Sequence, residues 1–78
     1  MMMEIGMLWF DDNPKMDFSA KVQKAADYYQ HKFGVAANLC FVHPGMLVQQ
    51  TATVGRIEVK PDRQVRPDHF YIGRKAAA

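Results

Sequence analysis

The chain has 78 residues, 49% of them hydrophobic and 12% aromatic, with a formal charge of +2. One domain fits that length, at a size where only about 60% of the unfolded surface becomes buried, and the apolar content excludes a disordered chain. The lone cysteine, Cys40, excludes an internal disulfide framework, no apolar run reaches the ~18 residues of a membrane helix, and Met1-Met2-Met3-Glu4 lacks the basic and apolar regions of a secretory signal, so a reducing, cytoplasmic home is expected.

Met7-Leu8-Trp9-Phe10 runs straight into Asp11-Asp12. An unbroken apolar run is not satisfied by one buried face, so it predicts a strand from Glu4 to Phe10 or Asp11, covered on both faces or nearly so. Gly6 weakens that strand and marks either a bulge or the close approach of another backbone. Asn13-Pro14 ends it, because proline drives the preceding residue into extended geometry.

Phe18, Val22, Ala25, Ala26, Tyr29 and Phe33 fall at helical spacing and predict a helix of about 16 residues with one apolar stripe. Lys21, Lys24, Tyr28 and His31 fall largely on the opposite side. Asp17, or in competition Ser19, supplies the N-cap, and Gly34 the left-handed stop. His31 and Lys32 suit the negative end of the helix dipole.

A second strand runs from Leu39 to Val42 or His43 and stops at His43-Pro44-Gly45. Strand, helix, strand with short links predicts a right-handed βαβ unit with parallel strands, which need not be adjacent. Residues 46–54 read as an irregular connection, although Thr51 to Val54 could equally be a strand. Arg56-Ile57-Glu58-Val59-Lys60 alternates strictly, the pattern of a strand with one wet face. Pro61-Asp62 opens a loop, Pro67-Asp68 closes it, and His69-Phe70-Tyr71-Ile72 is the last strand, expected to form a hairpin with 56–60. The order β-α-β-β-β predicts an α+β two-layer sandwich, one helix packed on a four-stranded mixed sheet, within a single domain over residues 1–75. Ala76-Ala77-Ala78 reads as an added tail outside it.

One helix covers one face of such a sheet. The other still carries alternate residues of two apolar strands, some of Leu8, Trp9, Phe10, Cys40 and Val42, and an exposed patch of that kind usually marks a partner surface. A homodimer that buries the second face is therefore expected, with Trp9, Tyr28 and Tyr71 as interface candidates. The competing arrangement folds the 46–55 segment over that face.

Chemistry has one candidate place. Asp11 and Asp12 end the first strand and His43 ends the second, so parallel strands bring all three to the edge where open α/β sheets bind ligands. Carboxylates with imidazole suit a divalent metal or an acid/base pair, but aspartates at a strand end also serve as turn devices. No catalytic residue is assigned, and Cys40 reads as a small buried hydrophobe. Charge is uneven: residues 1–54 hold four lysines against five acids, and residues 55–78 hold six Lys/Arg against three acids. Arg56, Lys60, Arg63, Arg66, Arg74 and Lys75 are thus candidates for an anionic partner such as nucleic acid, or else charges that solvate an edge hairpin.

Leu8-Trp9-Phe10-Asp11-Asp12-Asn13-Pro14 resembles the first strand of response-regulator receiver domains, in which paired acids help hold magnesium, and Lys60-Pro61 resembles their late Lys-Pro pair. The likeness stops there: strand two ends in Val42-His43 rather than an aspartate, and one helix is evident, so no phosphorylation site is carried over. Leu8–Asp11, Lys32–Gly34, Val42–Pro44 and Phe70–Gly73 together are similar to segments of small uncharacterised proteins carried on bacterial mobile elements. That resemblance implies a compact stand-alone domain and no activity. The functional expectations are, in order, a non-enzymatic binding protein acting as a homodimer, a nucleic-acid-binding module, and a metal-dependent hydrolase using Asp11, Asp12 and His43.

Overall fold

A computed structural model describes residues 3–48 and 52–76. Met1, Met2, residue 51 of the alternative 51–54 strand and the last two alanines of the tail lie outside them. The element order is β1 (Met3–Phe10), α1 (Phe18–Phe33), β2 (Leu39–Val42), a 3-10 turn (Pro44–Met46), β3 (Ala52–Val54), β4 (Ile57–Pro61) and β5 (His69–Lys75). The class is α+β, with one helix on one face of a mixed sheet whose strand order is β1-β5-β2-β4-β3.

Local chemistry sets the helix where the spacing puts it. The Asp17 carboxylate accepts from the Ala20 N–H at 2.7 Å, which satisfies one of the orphan donors of the first turn. Gly34, at φ 76°, closes the other end by donating its N–H to the Gln30 carbonyl at 2.8 Å. Val22, Ala25 and Tyr29 are fully buried beneath the helix, against Cys40, Val42, Val59, Phe70 and Ile72 of the sheet. Phe18 meets Phe70 with ring centroids 5.9 Å apart. Lys21 departs from its expected exposed side: it is buried.

Three sequence expectations change. The sheet has five strands because Ala52–Val54 pairs antiparallel with β4, so part of the presumed irregular connection is a strand. Strands 57–61 and 69–75 do not form a hairpin: β2 lies between them, parallel to β4 and antiparallel to β5. The pairing β1-β5-β2 still leaves β1 and β2 running in the same direction, with β5 between them. Third, β1 is an edge strand with one covered face. Met7 and Trp9 turn toward the helix, while Leu8 and Phe10 turn away and stay exposed. An apolar run therefore did not mean burial on both sides.

Within β1 the register slips between Glu4 and Met7, and Ile5 takes a positive φ of 46°. A β-branched residue rarely adopts that conformation, so the bulge is held by something. The Tyr29 hydroxyl donates to the Ile5 carbonyl at 2.7 Å, tying the bulge to the helix. Burial pushes the Tyr29 hydroxyl pKa up, against the lowering effect of Arg74 nearby.

Candidate functional site

Paired positions on neighbouring strands share a face of the sheet. The row Leu8, Tyr71, Phe41, Lys60 therefore lies away from the helix, and so does the pair Phe10 and His69. Leu8 is 61% exposed, Phe10 56% and Tyr71 36%. The described part of the 46–55 segment does not cover them, because Met46, Leu47, Ala52 and Val54 pack against the core on the helix side.

Tyr71 lies across Gly6. A Cβ built on Gly6 would stand inside van der Waals contact of the Tyr71 ring. Of the two readings of Gly6 the bulge holds, since the register slips across Ile5 and Gly6; what comes close is the Tyr71 side chain and not another backbone, and the unusual backbone angle belongs to Ile5. Gly6 thus lets an aromatic ring lie down on the sheet where any other residue would lift it.

The loop between β4 and β5 folds back over this face. Asp62 donates its N–H to the Val42 carbonyl at 2.8 Å, and its side chain accepts from the Gln64 N–H at 2.9 Å. At the far end Asp68, at φ 65°, accepts through its carbonyl from the Asp11 N–H at 2.9 Å. Asp tolerates that left-handed conformation better than most residues. Between the two anchors Val65 is buried although it stands in a loop. A cleft of about 480 Å³ remains between loop and sheet, lined by Leu8, Val65 and Tyr71 together with the polar residues Asp62, Gln64, Arg66 and His69. Its volume lies within the ~300–1,000 Å³ of ordinary binding pockets.

Charges gather elsewhere on the same face. Glu58 pairs with Lys75 at 2.6 Å and with Lys60 at 2.9 Å. The hydrogen bond from Lys75, then that from Lys60, holds the Glu58 carboxyl below its usual range.

The strand-end trio is brought to one edge but into separate turns. The Asp11 carboxylate accepts from the Asn13 N–H at 3.0 Å, and His43 Nδ1 accepts from the Gly45 N–H at 3.0 Å. Asp12 is exposed. Among the described residues no group of three His, Cys, Asp or Glu is placed to hold a metal ion.

The basic candidates are dispersed. Arg74 donates to the Ala36 carbonyl, and Arg56 lines a small cleft with Gln23 and Asp27 of the helix. Lys60 and Lys75 share one carboxylate, while Arg63 and Arg66 sit on the β4–β5 loop. Of the interface candidates, Tyr71 is on the open face. Trp9 and Tyr28 contact each other instead, centroids 4.9 Å apart, on the helix side. Among the described residues the buried Trp9 indole N–H has no hydrogen-bond partner. Cys40 is buried in the core, and burial pushes its thiol up to about 12.

Compared with protein-family models, with curated proteins and with solved structures, the chain matches none. Among the described residues no helix is long and apolar enough to cross a membrane. Sequence reasoning placed Leu8 and Phe10 among the residues of the second face but did not find Val65. The one signal was a lone aliphatic residue in a polar, proline-bounded loop.

Proposed function

We propose that this chain is a non-enzymatic binding module that works as a homodimer, two copies meeting through their open sheet faces. The observation that carries the reading is the cluster Leu8, Phe10 and Tyr71, large apolar groups that stay exposed on one sheet face although the β4–β5 loop folds over part of it. Surface hydrophobes scattered singly need no explanation, but a contiguous group on a flat face does.

Magnitudes bear on the affinity. Burying one Leu or Phe side chain yields about 1.5–3 kcal/mol. Two such residues from each copy give roughly 6–12 kcal/mol, the same order as the ~4–15 kcal/mol that association costs. The two terms are of the same order and nearly cancel, so the pairing is expected to be weak and strongly concentration-dependent. Sedimentation equilibrium across 1 µM to 1 mM checks it. The expected result is a rise toward twice the 8.9 kDa chain mass, abolished by Phe10→Glu, whose position is exposed enough to leave the fold intact. A wild-type chain that stays at 8.9 kDa throughout overturns the reading.

A further inference from the structure

We propose that the cleft between the β4–β5 loop and the sheet binds a free α-amino acid with an apolar side chain. The site is separate from the pairing of copies and does not require it.

The loop is fixed before anything binds. Two turns close within it, Val65 donating its N–H to the Asp62 carbonyl and His69 its N–H to the Arg66 carbonyl, each at 3.1 Å. Its start is tied to the Val42 carbonyl through the Asp62 N–H, and its end to β1 through the Asp68 carbonyl. The residues that line the cleft are therefore already placed, and binding has less ordering to offset.

The cleft brings together charged and polar groups that do not satisfy one another. Asp62 and Arg66 both line it and are opposite in charge, yet among the described residues neither belongs to an ion pair. The Asp62 carboxylate accepts from the Gln64 N–H at 2.9 Å, which uses one of its roughly four acceptor sites. His69 adds a second acceptor. Its Nδ1 lies 2.9 Å from the Pro67 carbonyl. A carbonyl only accepts, so Nδ1 carries the proton and the neutral ring keeps its lone pair on Nε2. Leu8, Val65 and Tyr71 supply the apolar part of the lining.

Charge then selects the occupant. A simple anion answers Arg66 but meets the Asp62 carboxylate, and a simple cation meets the reverse conflict. A zwitterion answers both, with its ammonium toward Asp62 and His69 Nε2 and its carboxylate toward Arg66. An apolar side chain on the same molecule covers Leu8, Val65 and Tyr71. The volume of about 480 Å³ lies toward the lower end of ordinary ligand pockets, which suits one amino acid rather than a folded partner.

The test follows amide chemical shifts by NMR as L-phenylalanine or L-leucine is added up to about 10 mM. Each is compared with the amine and the carboxylic acid that keep its side chain and lack one charge: 2-phenylethylamine and 3-phenylpropanoate, isopentylamine and 4-methylpentanoate. The expected shifts cluster on Leu8 and residues 62–71, and at least one amino acid binds about fivefold or more tightly than either of its analogues, the worth of one charge pair. Arg66→Gln should remove its advantage over the amine, and Asp62→Asn its advantage over the acid; asparagine still accepts from the Gln64 N–H, so the turn survives. The series is repeated in Phe10→Ser, which takes an exposed ring off the same face without adding charge, so that pairing of copies does not mask the cleft. Absence of clustered shifts in both chains, or amino acids no tighter than their analogues, overturns the proposal, as does an advantage that survives both charge substitutions. Sedimentation of the wild-type chain decides the dimer independently.

Discussion

Gly6 is the position where one methyl group tests the open face. In the wild-type chain Gly6→Ala drives a Cβ into the Tyr71 ring. Overpacking typically costs about 1–3 kcal/mol. The atoms struck are the far end of a half-exposed side chain, which can swing, so the cost falls in the lower half of that range, about 1.5–2 kcal/mol. Alanine returns about 0.5–1 kcal/mol by restricting the unfolded backbone. The net in the wild-type background is then a loss of about 1 kcal/mol. With Tyr71→Ala in place the clash is gone and the entropy gain remains, so the same Gly6→Ala becomes stabilising by about 0.5 kcal/mol. The coupling between the two positions is thus about 1.5 kcal/mol, within the range that touching residues show. Urea unfolding of the four chains, followed by the fluorescence of Trp9 at one fixed protein concentration, reads it. Fixing the concentration matters because association would otherwise shift apparent stability. Equal costs of Gly6→Ala in both backgrounds would refute the claim that glycine is there to seat Tyr71.

Other positions respond in other ways. Tyr29→Phe removes the hydrogen bond to the Ile5 carbonyl; it should cost about 1 kcal/mol and raise amide exchange along the first half of β1, and unchanged exchange there would leave the Ile5 bulge without this anchor. Cys40 holds its proton to about 12 in the folded chain against 9.0 as the ordinary value, so its contribution is complete below 9 and lost as pH rises toward 12. Wild-type stability relative to Cys40→Ala should fall by up to about 1.4 kcal/mol per pH unit in that window, and a flat difference between pH 9 and 11 would contradict it. The Glu58 carboxyl is lowered by Lys75 and Lys60, so its contribution is present above the ordinary carboxylate value of 4.5 and disappears as pH falls through the native one. Glu58→Gln should therefore destabilise at pH 7, less so in high salt and not at all in strong acid; a destabilisation independent of pH would point to shape rather than charge.

The parts legible in the sequence were those fixed by contacts between near neighbours. The α1 stripe, its Asp17 cap and its Gly34 stop are read within one or two turns of chain, and all three hold. Strand pairing was not legible, because the partner of β4 is chosen by geometry across the whole sheet. Residues 57–61 and 69–75 look like a hairpin in a line of text, yet β2 takes the place between them. The short strand Ala52–Val54 was similarly ambiguous, since three residues give no period to count. At the candidate site, the exposure of Leu8 and Phe10 followed from an alternation hidden inside a run that was apolar throughout. The burial of Val65 depends on a loop folding back, which no local pattern encodes.

The edges of the sheet bear on which surface would serve the proposed association. Unpaired strand edges invite open-ended sheet extension unless they are short, bulged or charged. On one side β3 has three residues. On the other, β1 carries a register slip with Ile5 at positive φ, which twists the first half of the strand away from a flat template. Both edges are thus poor places to add another strand, while the face between them keeps Leu8 and Phe10 exposed. Association through edges would propagate from copy to copy. Association through one face uses that face up in both partners and closes at two. The same features that blunt the edges therefore favour the proposed dimer over a fibre, and Ile5, exposed and at positive φ, is one of them.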